Sequence, residues 1–130
     1  MLERINFSSG TKWENSVGYS RAVRAGDYIF VSGTTAIDEN GNINGLGDVY
    51  RQTKYIFLKI EKALNNLGAK LDDVVRTRMF ITNIELWDDA GRAHGEVFKN
   101  IKPAATMVQV SSLIEPDLLI EIEVDAILLK

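Results

Sequence analysis

The chain has 130 residues, a formal net charge of -3 at pH 7, a hydrophobic fraction of 45% and no cysteine. That length suits one domain able to bury a core of its own. The lack of thiols excludes a disulfide framework, a thiolate nucleophile and a zinc–thiolate cluster. A mildly acidic chain without Arg/Lys runs offers no basic field to a polyphosphate backbone, so nucleic acid is not an expected partner. No apolar run approaches the roughly 20 residues that span a bilayer, and Glu3 and Arg4 stand where a signal peptide would be apolar. A cytoplasmic protein with no membrane association is expected.

Taken in chain order, Tyr19 to Ala25 and Asp27 to Gly33 read as two strands of a hairpin turning at Gly26. Thr34 to Gly47, rich in Asn, Asp and Gly, reads as a turn-rich loop. Asp48 reads as a helix N-cap. From there Val49, Thr53, Ile56, Phe57, Ile60, Ala63, Leu64 and Leu67 recur at helical spacing, and Gly68 stops the helix. Asp72 to Thr82 alternates and is rich in strand formers. Trp87, Ala90, His94, Val97, Phe98 and Ile101 mark a second, shorter helix that Pro103 ends. Ala104 to Ser111 and Leu118 to Leu129 read as the last strands, parted by a turn at Glu115 and Pro116. Two helices, each with one apolar stripe to cover, fit one face of a mixed sheet in a two-layer α+β arrangement.

The strands also define a second face. In Ile120 to Ala126 apolar residues alternate with acids, so Glu121, Glu123 and Asp125 share the side away from the helices. By the same counting Val75, Met79 and Ile81 face the helices, while Arg76 and Arg78 join the acids. In the strand after Pro103 the alternation assigns Thr106, Val108 and Val110 to the helix side, leaving Ala105, Met107 and Gln109 among the charges. This face is either the solvated side of an antiparallel sheet or a subunit interface in which carboxylates and guanidiniums pair beside Ala105, Met107 and Phe80.

Four stretches together resemble the RidA family, also called YjgF or L-PSP: AGDYIFVSGTTAIDENG (25–41), LDDVVRTRMFIT (71–82), KPAATMVQV (102–110) and LIEIEVDAI (119–127). The resemblance covers nearly the whole chain and implies a single chorismate-mutase-like domain over residues 1–130. It further implies a homotrimer with small-molecule clefts between subunits, no cofactor, and hydrolysis of reactive imines and enamines to 2-oxo compounds and ammonia. Deaminase members grip the substrate carboxylate with an arginine in a Pro-Ala/Val-Arg-Ser/Thr motif, which here reads Pro103-Ala104-Ala105-Thr106. The usual clamp is therefore absent at Ala105. The resemblance implies catalytic roles for Glu121, which would orient water, and for Ser32, and substrate contacts at Tyr19, Ala105 and Met107.

Each of these residues has a plainer reading beside the functional one. Ser32 reads as a strand-end hydroxyl bonded to the backbone or as a ligand contact. Glu121 reads as an interface salt bridge or as a water-orienting base. Arg78, on the proper face, reads either as a relocated anion clamp for an anionic ligand or as the partner of Glu121 or Glu123. His94, the lone histidine, reads as a half-buried helix residue rather than a base, and a metal site is not expected. Trp13 and Trp87 read as packing residues. Two function classes follow: an imine/enamine hydrolase with an altered site, or a non-catalytic trimeric ligand-binding or interaction protein favoured by Ala105. A ribonuclease role, attached to the family by name, ranks last because the chain lacks both a basic field and a histidine pair.

Overall fold

The computed structural model describes residues 3–129. Its elements are β1 (Arg4–Phe7), α1 (Lys12–Val17), β2 (Ala22–Ala25), β3 (Tyr28–Thr34), α2 (Val49–Asn66), β4 (Val74–Ile81), α3 (Trp87–Phe98), β5 (Ala104–Gln109) and β6 (Ile120–Ile127). One six-stranded sheet runs in the order β1-β2-β3-β6-β4-β5. All junctions are antiparallel except β4–β5, which is parallel. Since β6 lies antiparallel to both β3 and β4, those two strands run the same way. Both long helices are thus crossovers between parallel strands that step in one direction along the sheet. The fixed hand of such crossovers sends both to the same face.

Local sequence explains the helix limits. The Asp48 side chain accepts from the Arg51 amide at 3.1 Å, closing the first turn of α2. Gly68 takes φ +83 just past its end. Between them the stripe Val49, Ile56, Phe57, Ile60, Ala63 and Leu64 is buried against Ile120, Ile122, Val124 and Ala126 of β6 within one core. Gln52, also buried, ties the connections to this helix. Its amide donates to the Gly45 and Asp117 carbonyls, and its Oε1 accepts from the Leu119 amide at 2.9 Å. Satisfying both ends of a buried amide fixes where the long loop re-enters the domain.

Several expectations need correction. Two elements carried no sequence signal. β1 is short and largely exposed, and owes its structure to pairing with β2. α1 is a six-residue helix organised by Glu14, whose buried carboxylate accepts from Ser8, Ser9 and Thr11. The first hairpin strand begins at Ala22, not Tyr19. A register shift between Val74 and Arg76 puts Val74 in the core and leaves Val75 37% exposed. In β5 the parity is the reverse of the expected one. Ala105, Met107 and Gln109 stand opposite Thr77, Met79 and Ile81, the helix-side residues of β4. Met107 accordingly packs on the core, while Val108 is 44% exposed on the charged face. An edge strand reading AATMVQ has too little polar contrast to fix its own faces, so pairing with β4 decides them. Trp13 and Trp87 are about half exposed rather than packed.

Candidate functional site: the charged face around Glu121

The outer face carries a row of residues across four strands. Thr34 pairs with Ile122 beyond an irregularity in β3 at Ser32–Gly33, and Glu121 stands opposite Phe80, which stands opposite Val108. At the irregularity the Glu121 side chain closes on Gly33. A Cβ built on Gly33 would lie 2.1 Å from Glu121 Oε2. No side chain fits at residue 33 while Glu121 keeps this position, so glycine is needed there for space.

The Glu121 carboxyl sits in a half-buried setting that acts on its charge. Burial pushes it above the ordinary carboxylate range, the Arg21 guanidinium pulls it back, and Glu123 pushes it up again. A carboxyl raised above its ordinary range is better suited to both taking and returning a proton. Sequence reasoning missed Arg21. Its Nη2 donates to the Gly33 carbonyl at 2.6 Å, and its guanidinium carbon lies 5.7 Å from the centre of the Tyr19 ring. One arginine thus links Tyr19, the Ser32–Gly33 irregularity and Glu121. Its only sequence signal was a charge within the strand expected over Tyr19 to Ala25, which by itself reads as solvated.

The six residues singled out from the sequence therefore divide. Tyr19, Ser32 and Glu121 gather around Arg21 and Gly33. The Ser32 hydroxyl donates to the Ser20 carbonyl at 2.7 Å, so its proton is held by the backbone and its lone pairs remain. Arg78 lies on the same face but is engaged: its Nη1 meets Asp125 Oδ2 at 3.1 Å and Glu123 Oε1 at 3.4 Å. Ala105 and Met107 stand on β5, on the sheet's other side from Glu121 by register. The row that includes Glu121 instead meets β5 at Val108.

His94 lies in the helix layer, away from this row. Its Nε2 is 2.9 Å from the hydroxyl of buried Thr77, and its ring packs against Phe98 and Phe57 with centroids at 4.8 and 5.7 Å. Burial lowers its pKa. Among the described residues no group of His, Asp and Glu side chains is arranged to hold a metal ion, and no helix is long and apolar enough to cross a membrane.

A mixed sheet carrying two crossover helices on one face, with an acid seated on a strand irregularity on the other, is an α+β fold of the YjgF type. The family model for endoribonuclease L-PSP matches residues 10–128, and the chain belongs to that family, which is also the RidA or YjgF family. Among solved structures it is similar to Rv2704 of Mycobacterium tuberculosis, described as a member of the YjgF/YER057c/UK114 family. The identity is 44%, the TM-score 0.88, and the match covers 97% of this chain and 100% of that one. It is 39% identical over 118 residues to an uncharacterized Streptomyces coelicolor protein, covering 91% of this chain and 87% of the other. It is also 34% identical to the 3-aminoacrylate deaminase RutC of Acinetobacter baylyi, covering 80% of this chain and 82% of that protein.

Proposed function

We propose that this protein is a homotrimeric hydrolase of small imines and enamines, working at clefts between subunits with Glu121 as its proton-handling group. The reading rests on one observation: a half-buried carboxyl, raised by burial, held against the backbone of Gly33. Relatedness to a 3-aminoacrylate deaminase supports it. An enamine first tautomerises to its imine. Water then adds to the imine carbon as the carboxylate takes one of its protons and passes it to the imine nitrogen, giving a carbinolamine. The carboxylate next moves the hydroxyl proton to that nitrogen as the C–N bond breaks, releasing ammonia and leaving a carbonyl product. The lone pairs of Ser32 and nearby backbone groups would share the hydrogen bonding, and Tyr19, beside Arg21, would meet the substrate. Exposed Phe30, Val75 and Val108 together with half-buried Phe80 give the outer face the apolar content of a subunit interface.

Substrate recognition differs from that of the arginine-bearing deaminases, because residue 105 is alanine and Arg78 is held by two acids. Low activity on 2-aminoacrylate follows, with preference for imines whose binding does not require that clamp. Ala105 also favours a second reading, a trimeric ligand-binding protein that has lost the reaction. A panel of imines generated by an amino-acid oxidase separates the two. Faster ammonia release with the wild type and not with Glu121→Gln supports hydrolysis, and no acceleration with any imine supports binding alone.

A further inference from the structure

On the helix side of the β1–β2 edge, the segment Phe7–Thr11, the loop at Ile37–Glu39 and α2 enclose a cavity of about 470 Å³. None of Tyr19, Ser32, Arg78, Ala105, Met107 or Glu121 lines it, and it meets the Glu121 row only at Arg21, which the two places share. Two half-buried cations line it, Arg21 and Lys59. Neither has a carboxylate within ion-pair distance among the described residues. Arg21 spends one nitrogen on the Gly33 carbonyl, and its buried Nε has no partner. Lys59 Nζ donates to the Thr35 and Ile37 carbonyls at 2.7 and 2.8 Å, which leaves one of its three protons.

Holding two like charges half-buried on one cavity wall is unfavourable unless something negative joins them. Asp38 acts on Lys59, and Glu121 on Arg21, only through their fields, and neither forms an ion pair with its cation. Asp38 Oδ1 accepts from the amides of Asn40 and Asn42 and holds the turn. We propose that this cavity binds a small carboxylate with a short branched apolar body, its anion shared by Arg21 and Lys59 and its body laid against Phe7, Ile37 and Leu58. The volume suits a small metabolite, and a planar oxyanion matches a guanidinium beside an ammonium.

Proton linkage gives the site a signature. Burial, helped by the field of Arg21 and opposed by Asp38, lowers Lys59 to about 8. Tyr55 and Lys62 of α2 and Glu39 of the loop also line the cavity. A bound anion favours the charged amine, so binding takes up protons near pH 8 and weakens as pH rises past it.

The test is calorimetric titration of the full chain with 3-methylbutanoate, its neutral carboxamide, and inorganic phosphate, at pH 7 and pH 9. The carboxylate is expected to bind at pH 7 and the carboxamide not. Arg21→Gln and Lys59→Met should each weaken binding roughly tenfold or more. Lys59→Arg should keep binding and lose the decline between pH 7 and 9. Leu58→Trp, an exposed substitution that fills the cavity while leaving both cations, should block it and serves if the charge variants unfold. Glu121→Gln, which removes a negative charge from the field of Arg21, should bind at least as well as the wild type, whatever its effect on hydrolysis. Equal binding of the carboxamide, preference for phosphate, no binding at millimolar carboxylate, or binding lost only in Glu121→Gln would each overturn the assignment.

Discussion

Glu121 rests directly on Gly33, with no room between them for even a methyl group: a Cβ at residue 33 would stand 2.1 Å from Oε2 and 3.0 Å from Cδ. Gly33→Ala is therefore expected to push the carboxyl aside rather than to unfold the domain, because the obstructed atoms are the far end of one side chain. Imine hydrolysis should fall by roughly tenfold or more, the size of effect expected when a proton-transfer group is displaced. Denaturation midpoints should stay close to wild type. Unchanged activity in a folded Gly33→Ala protein would remove the contact from the mechanism.

Glu121 itself should trade stability for function. Its folded pKa lies above its unfolded value, so its stabilising protonated form is fully present below the unfolded pKa and lost as pH rises through the folded one. At pH 7 and above the charged, half-buried carboxylate is a net burden. Glu121→Gln should thus unfold at higher urea than the wild type at pH 7.5, with the difference shrinking toward pH 4. A variant less stable than wild type at pH 7.5 would contradict this account of its surroundings.

His94 acts with the opposite sign. Its folded pKa is lowered by burial, so the unfolded chain takes up the proton first as pH falls below the usual histidine value of about 6.5. Stability conferred by the neutral ring is present at pH 7.5 and drains as pH falls toward the folded pKa. Urea midpoints at pH 7.5 and 5.5 should show a drop in the wild type and a smaller one in His94→Gln, which keeps a partner for the Thr77 hydroxyl. Equal drops in both would rule out His94 as its source.

Arg78 separates subunit from assembly. In the single chain its contacts with Glu123 and Asp125 are partly solvated, with the Arg78 side chain 38% exposed, and are worth under about 1 kcal/mol. Covered by a neighbouring subunit, the same group would be desolvated, and its loss would strand two acids at about 3–5 kcal/mol. Arg78→Ala should shift the proposed trimer toward monomer in light scattering while leaving the fold of the monomer intact. An assembled Arg78→Ala trimer that no longer processes imines would instead make Arg78 an anion clamp.

The sequence carried the helices and central strands because their signals are local. Asp48 and Gly68 bracket an apolar stripe, and Ile120 to Ala126 alternates without a break. It did not carry β1 or α1, whose residues are ordered by contacts made elsewhere: pairing with β2 in one case, a buried Glu14 gathering three hydroxyl side chains in the other. The face of β5 was beyond reach for a similar reason, since its neighbour sets it. Of the candidate site, Glu121 was legible as an acid between isoleucines. Arg21 was not, because its importance comes from the Gly33 carbonyl and from a field on Glu121, both products of the β3 irregularity.

The proposed hydrolysis depends most directly on the chemistry of Glu121 in an assembled protein. The deciding measurement is the rate of ammonia release from oxidase-generated imines, compared between wild type and Glu121→Gln, each sized in the same buffer. The wild type should accelerate release of at least one imine, and Glu121→Gln should fall to the uncatalysed rate with its assembly unchanged. A Glu121→Gln protein that accelerates release as fast as the wild type would contradict the central claim.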